Sequence, residues 1–322
     1  MELNILYATD ENYAMYTGIS LYSLLENNTN IEHIKIHILD NGILNDSRLK
    51  LNILAETFNR EIKYWDAKKL FVELESKITM KNTQTITAYA CYFMAYILNE
   101  TVDKILYMDG DTLVLGDLSE LCKIDMSDTY VCGALDIAAL IVREKIGFNQ
   151  NEPYINSGFL YMSLNNIRKA NLRPNIIKFI EEVIPTSMHN DKDVVNGVYK
   201  NHIKVLPLKY NVLTPLYEKT YDQIREYYNI EDNYYSDAEV QNAINNPVFV
   251  YFTASFTKRP WVKGCKHPLK GKWDEYKQKT EWKGKEDKPD SRSCKRQLID
   301  FLFNILDVRQ FQFLYRLLGN KK

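Results

Sequence analysis

No run in this 322-residue chain approaches the ~20 uncharged apolar residues that a membrane-spanning helix needs, so the sequence reads as soluble or peripheral. Met1 leads straight into Leu3-Asn4-Ile5-Leu6-Tyr7-Ala8, which has neither the basic start nor the apolar length of a secretory leader. The five cysteines, Cys91, Cys122, Cys132, Cys265 and Cys294, are odd in number and scattered, without a C-x-x-C pair or a His/Cys cluster at zinc spacing. That usage points to a reducing compartment and away from a disulfide framework. Neither G-x-G-x-x-G nor G-x-x-x-x-G-K-[ST] occurs, which argues against a P-loop phosphotransferase or a nucleotidyltransferase. Charge of one sign is lacking too. With 41 basic and 42 acidic residues the net charge is -1, and nothing in the balance invites nucleic acid. There are no internal repeats and no low-complexity tracts.

What is present is a 45% hydrophobic chain, long enough for one large domain or two smaller ones. Short apolar runs, Ile34 to Leu39, Ile105 to Met108, Tyr130 to Leu135 and Gly158 to Leu164, alternate with segments of helical period. This predicts an α/β architecture, a mostly parallel sheet covered by helices. Leu3 to Ala8 followed by Met15, Ile19, Tyr22 and Leu25 predicts an opening strand, a turn at Thr9 to Asn12, and a helix. Pro207 to Tyr235 is looser, rich in Tyr, Asn and Asp, and reads as an insertion.

Ligands of open α/β sheets collect at the carboxyl ends of strands. Asp10, Asp109, Asp111, Asp136 and Asn156 all fall there. Asp109-Gly110-Asp111 sets two carboxylates around a glycine, an arrangement that can hold a divalent cation while backbone approaches a phosphate. The same tripeptide between two apolar runs is also a hairpin signal. Asp10 has two readings as well: a helix cap, or, with Asn12 and Tyr13, hydrogen-bonding and stacking groups for a nucleotide.

Order and spacing carry more than any single residue. Ala8-Thr9-Asp10-Glu11-Asn12-Tyr13, Thr87-Ala88-Tyr89, Leu106 to Asp111, Asn156-Ser157-Gly158, Asp191-Lys192-Asp193 and Arg259-Pro260-Trp261 together resemble glycosyltransferase family 8. The likeness is to its bacterial members that build lipopolysaccharide and other surface glycans, and it spans about Leu3 to Pro268. It implies the glycosyltransferase type A fold and retaining transfer of a hexose from UDP-glucose or UDP-galactose to a surface-glycan or lipid-linked acceptor, with Mn2+ or Mg2+ as cofactor. By the same resemblance Asp109 and Asp111 are metal ligands, while Ala8, Asp10, Asn12 and Tyr13 hold the uridine. Asn156, Gly158 and Asp191 meet the donor sugar, Asp136 lines the sugar and acceptor side, and Arg259, with Lys258 second, grips the diphosphate.

Three positions depart from the family pattern. Cys91 stands where an arginine is common, Lys192 where a glutamine lies under the anomeric carbon, and Tyr251 about where a histidine ligates the metal. A lysine beside a developing oxocarbenium ion is unfavourable unless it pairs with a carboxylate or reaches the departing phosphate. His267 replaces the missing ligand only if its loop folds back. An alternative is a family member that binds nucleotide sugar or an enzyme partner without efficient turnover.

The expected division is a catalytic domain over 1–268 and a basic, amphipathic tail over 269–322. In the tail, Leu298, Phe301, Leu302, Ile305, Leu306, Phe313, Leu314 and Leu317 share a helical face flanked by Arg296, Arg309, Arg316, Lys321 and Lys322. Such a face lies in a membrane interface, packs on a partner, or covers a core. The first reading places the protein in the cytoplasm, at the inner face of the cell membrane.

Overall fold

The computed structural model describes residues 1–67, 69, 86–137, 143–149, 151–183, 191–230 and 232–317. Strand β1 (Glu2–Thr9) is central: Leu3, Ile5, Leu6 and Tyr7 are all buried, as a strand covered on both faces requires. It pairs in parallel with β2 (His33–Asp40) on one side and β4 (Lys104–Met108) on the other, and β3 (Ile62–Asp66) extends the sheet beyond β2. β6 (Val131–Gly133), β7 (Phe159–Ser163) and β8 (Ile203–Val205) complete the order β3-β2-β1-β4-β7-β6-β8. β7 runs antiparallel to both β4 and β6 while the other pairings are parallel, so the sheet is mixed but mostly parallel, as expected.

A second sheet, β5 (Thr112–Val114), β9 (Val212–Leu213) and β10 (Phe249–Tyr251), has the order β5-β10-β9. The hairpin reading of Asp109-Gly110-Asp111 fails here. β4 belongs to the large sheet while β5 pairs antiparallel with β10, so the tripeptide passes from one sheet to the other.

The helices are α1 (Ala14–Asn27), α2 (Asn45–Thr57), α3 (Ile86–Ile97), α4 (Ser119–Cys122), α5 (Leu164–Lys169), α6 (Arg173–Glu182), α7 (Asp191–Tyr199), α8 (Tyr221–Tyr228), α9 (Asp237–Asn245), α10 (Lys270–Gln278), α11 (Cys294–Ile305) and α12 (Val308–Leu317). One face of the large sheet packs Leu3, Ile5 and Tyr7 with α1, α2 and the second sheet. The other packs Leu6, Ile105 and Tyr107 with α3, α5, α6 and α7. Because the strand order turns in opposite directions at β1 and β4, the crevice above their carboxyl ends is where such a sheet binds ligands.

Two expectations change. The 207–235 stretch is not an insertion: Leu208, Val212, Leu213, Leu216 and Ile224 are buried in the main core. Residues 270–282 likewise pack into the body rather than forming a tail. Trp273 is fully buried, its ring centroid 5.1 Å from Trp261, and Trp282 lies so close to α1 that a Cβ on Gly18 would stand 2.3 Å from its ring. The helical tail expected after Lys295 is two helices. Asp307 interrupts it by accepting from the Gln310 amide, which caps α12. Ile299, Phe303, Val308 and Phe311 turn inward to a small core with Tyr227 and Phe256. Leu298, Phe301, Ile305, Phe313 and Leu317 stay exposed, and Lys321 and Lys322 lie outside the described residues. Among the described residues no helix is long and apolar enough to cross a membrane.

Removing the Trp282 ring from this interface should lower stability by about 3–5 kcal/mol, the usual cost of deleting a buried aromatic. Thermal unfolding of Trp282→Ala checks this, and a chain stopped at Pro268 should show no cooperative transition at all.

Candidate active site

At the end of β4 the Asp109 amide donates to the Gly158 carbonyl (3.0 Å), while the Phe252 amide donates to the Asp111 carbonyl (3.0 Å). The two carboxylates are thus tied to the start of β7 on one side and the end of β10 on the other. Gly110 is obligatory between them. A Cβ there would sit 2.3 Å from the Thr17 hydroxyl of α1. The Tyr107 hydroxyl donates to Asp109 at 2.7 Å, and the Tyr251 hydroxyl bonds the same carboxylate. Asp111 pairs with Arg259 (3.3 Å), whose guanidinium also reaches the Tyr13 hydroxyl (3.3 Å). Its Nε has no hydrogen-bond partner among the described residues.

Asp10 follows β1 and accepts from the Tyr13 amide (3.1 Å) and the Asn12 side chain (3.4 Å), so it does cap the turn into α1. That turn holds Asn12 and Tyr13 exposed at the crevice mouth, with Ala8 inside β1 below them. Tyr13 rests edge-on against Tyr16, which stacks on Trp261 at 4.1 Å. The turn after β1 and the loop that carries Arg259 are therefore in contact through Tyr13.

A second, buried polar network lies beside the carboxylates. The Asn156 amide donates to Asp136 (2.5 Å), and the Asn156 oxygen accepts from the Gly158 amide (2.9 Å) and the Asn211 side chain (2.8 Å). Lys192 completes it as an ion pair with Asp136 at 3.1 Å. Desolvation works against the Lys192 charge, yet its pKa is raised because Asp136, then Asp191 and Asp193, outweigh that penalty. Of the three carboxylates around it, the lysine selects Asp136. Asp191, at the start of α7, accepts from the Ser157 hydroxyl (2.5 Å), and Asp193 turns away to accept from Tyr154 (2.6 Å).

Two candidates are not brought in. The Lys258 ammonium pairs with Asp290 (3.0 Å) and donates to the Lys263 carbonyl (3.1 Å), on the side of the C-terminal segment. His267 is a core residue: Nδ1 accepts from the Leu269 amide, the ring packs on Phe252 and Tyr217, and burial lowers its pKa to about 4. Its loop does not fold back to the carboxylates. Cys91 is buried near Asp191 and Asp109, and desolvation followed by those charges pushes its thiol well up. Tyr107, Ser157, Tyr154 and Asn211 are partners that sequence reasoning did not single out. Ser157 and Tyr107 carried a signal, lying inside the Asn156-Ser157-Gly158 and Leu106 to Asp111 elements.

Burial, then the neighbouring Asp111 charge, lifts the Asp109 carboxyl to about 6, even though Tyr251 and Tyr107 donate to it. Asp191 is lifted to about 6 as well, by desolvation first. Asp111 is raised by burial against the pull of Arg259. A carboxyl with a raised folded-state pKa favours the fold below its unfolded pKa, and that advantage is lost as pH rises through about 6. In the ligand-free protein at pH 7.5, Asp109→Asn should therefore raise stability by on the order of 1 kcal/mol. The gain should vanish below about pH 4, where an aspartate is protonated in folded and unfolded chains alike; denaturant titrations at the two pH values read this directly.

Comparison with known proteins places this geometry. Residues 4–264 match the family described as "Glycosyl transferase family 8". General stress protein A of Bacillus subtilis (strain 168) is 25% identical over 298 residues, which cover 87% of this chain and 94% of that one. A lipopolysaccharide 1,2-glucosyltransferase of Escherichia coli is 25% identical over 265 residues, 80% of this chain and 73% of its own. Among solved structures, the galactosyltransferase LgtC, in complex with donor and acceptor sugar analogs, superposes with TM-score 0.69 at 21% identity, covering 87% of this chain and 96% of that one. The bifunctional glycosyltransferase WbbM gives TM-score 0.74 at 18% identity over 88% of this chain, which spans 50% of that longer protein. The fold is thus that of the type A glycosyltransferases, and the chain belongs to glycosyltransferase family 8.

Proposed function

We propose that this protein is a retaining hexosyltransferase that moves glucose or galactose from its UDP conjugate to a surface-glycan or lipid-linked acceptor with the help of Mn2+ or Mg2+. The observation that carries the reading is convergence. The Asp109–Asp111 pair, Asp191, Asn156, Tyr13 and Arg259 come from five separate places in the sequence, and the fold gathers them around the carboxyl ends of β1 and β4.

The carboxylate pair suits a hard divalent cation. Its donors are all oxygens, and both acids are lifted by desolvation that a cation would relieve. Among the described residues no cluster of three or more His, Cys, Asp or Glu side chains forms, so the donor's diphosphate would have to complete the shell. A bound Mn2+ or Mg2+ supplies charge stabilisation for the departing diphosphate. Arg259, with Nε still unpartnered, adds donors of the planar kind that phosphate oxygens accept. Asp10, Asn12, Tyr13 and the β1 backbone at Ala8 take the uridine, the Tyr13 ring stacking on the base. Asp191, Asn156 and Gly158 face the donor sugar, where carboxylate and amide oxygens favour oxocarbenium character.

Lys192 is the departure that most threatened turnover, and its pairing supports an active enzyme. Held on Asp136, the ammonium is neutralised beside the sugar and orients a carboxylate toward the acceptor side. Lys192→Gln should then remove this counter-charge from Asp136 and reduce kcat by about tenfold to a hundredfold, with a smaller change in the KM for donor.

The exposed side chains Leu298, Phe301, Ile305, Phe313 and Leu317 on α11 and α12, with Arg309 and Arg316 around them, are proposed to seat the protein on a membrane surface. In this division residues 1–288 form the body and the helix pair is a docked tail.

The decisive assay is release of UDP from a panel of UDP-sugars with Mn2+ or Mg2+, wild type against Asp109→Ala plus Asp111→Ala. Metal-dependent release from a hexose donor, lost in the double variant, supports the proposal; binding of UDP without release from any donor would leave the non-turnover reading standing. Replacing Phe301 and Phe313 by Glu should abolish co-sedimentation with anionic vesicles while the soluble protein keeps its melting temperature.

A further inference from the structure

We propose that the C-terminal helix pair α11–α12 is a positioning element of the donor site, holding the loop after β10 in the shape that aims Arg259 at the diphosphate. The inference rests on the reading of Arg259 as the diphosphate-binding residue. It concerns what places that residue, which nothing in the family resemblance assigns to the tail.

The loop leaves β10 at Tyr251 and reaches Trp261 without regular structure, so it has no ladder of its own to fix it. Its two ends are anchored in the body: Phe252 packs on Trp261 and Trp273, and Trp261 stacks on Tyr16. The middle is anchored elsewhere. Phe256, three residues before Arg259, is buried, and its ring stacks on Phe303 of α11 at 3.8 Å and meets Phe311 of α12 edge-on at 5.3 Å. The pocket that takes this ring is the small core formed by Ile299, Phe303, Val308 and Phe311 with Tyr227. Four of those five residues belong to the tail.

Polar contacts repeat the same attachment. Arg296 of α11 donates to the Ser255 carbonyl at 2.8 Å, and its Nε pairs with Asp300 at 2.8 Å. Asp300 also takes Arg292 at 2.5 Å, Arg292 pairs with Asp290 at 2.9 Å, and Asp290 pairs with Lys258 at 3.0 Å. Lys258 adjoins Arg259, so a continuous run of ion pairs extends from α11 to the residue beside the guanidinium. Arg292 holds Asp290 well below the usual carboxylate range, and the pair stays charged at any working pH. From the body side, Glu218 accepts from the Thr257 amide and the Ser255 hydroxyl, while Lys219 donates to the Asn304 and Leu306 carbonyls at the end of α11. Glu218 and Lys219 therefore clasp loop and helix together.

Loosening this attachment leaves every donor-site side chain in place chemically and releases only the direction in which Arg259 points. A ligand with a diphosphate should feel that release, and uridine, held near β1 and the turn after it, should not. The experiment uses the full-length chain and calorimetric titration with UDP and with uridine in Mn2+ buffer. Its variants are Arg259→Gln, the pair Asp290→Asn with Arg292→Gln, and Phe256→Leu, each checked by thermal unfolding. We expect UDP affinity to fall about tenfold in all three, the weight of one charge-assisted contact, with uridine affinity unchanged. Asp290→Glu, which keeps the ion pair, should restore near wild-type UDP binding.

If Arg259→Gln weakens UDP but the relay and Phe256 variants do not, the positioning role is overturned and the reading of Arg259 survives. Unchanged UDP binding in Arg259→Gln removes that reading and the inference with it. Equal losses for UDP and uridine in the relay variants would mean a general structural defect, and would likewise overturn the proposal.

Discussion

The burial of Asp109 and Asp111 side by side is the constraint on which the rest of the molecule depends. Burial lifts both carboxyls, the Asp111 charge lifts Asp109 further, and a fold retains such a pair only if its other parts supply donors and counter-charge. Every element at this end of the sheet does so. β4 contributes Tyr107, β10 contributes Tyr251, and the loop beyond β10 contributes Arg259. The small second sheet has its reason here, since pairing β5 with β10 is what brings Tyr251 and the Phe252 amide to the acidic tripeptide. α1 closes the remaining side so tightly that only glycine fits between the carboxylates.

The same constraint organises the neighbouring network. Asp136 is buried as well, and Lys192 and Asn156 both donate to it. Two carboxylates of the crevice thus have their own buried or half-buried cation, Arg259 for Asp111 and Lys192 for Asp136. Asp191 accepts from the Ser157 hydroxyl and feels the Lys192 charge, yet burial keeps its carboxyl lifted. A crevice arranged in this way is strained electrostatically at Asp109 and Asp191 and satisfied at Asp136.

Much of this was legible in the chain because strand ends announce themselves. The apolar runs at Ile34, Ile105, Tyr130 and Gly158 each contain a strand, and the polar residues that follow β1 and β4 lie at the crevice. What periodicity could not supply was partnership across sequence. The choice of Asp136 for Lys192, though two other aspartates adjoin the lysine, depends on the β6–β7 pairing that sets Asp136 near α7. The hairpin reading of the tripeptide was wrong because local turn chemistry says nothing about which sheet the next strand joins. The tail was misread for a related reason. A helix with apolar residues on two faces shows one face to a pattern search, and the inward face of Ile299, Phe303, Val308 and Phe311 is defined only by Phe256 and Tyr227, far away in sequence. That Lys258 pairs with Asp290 was equally out of reach, because the partner lies in that segment.

The departures from the family pattern are coupled through charge. Cys91 removes a cation from the neighbourhood of Asp191 and Asp109, whose charges both act on the buried thiol. Lys192 supplies a cation on α7, within the field of Asp136, Asp191 and Asp193. Against the pattern that the resemblance implies, a cation is absent at position 91 on α3 and one is present at position 192 on α7, where it pairs with Asp136. Tyr251 extends the pattern to the Asp109–Asp111 pair. Its neutral phenol hydrogen-bonds Asp109, and burial together with the Asp109 and Asp111 charges keeps the phenol protonated. A neutral imidazole and a neutral phenol carry the same charge, so this replacement leaves the electrostatic balance intact. What changes is direction: a histidine nitrogen would offer a lone pair to a cation, whereas the tyrosine offers a proton to a carboxylate. At Tyr251, then, charge is unchanged and the direction of the hydrogen bond is what has been altered.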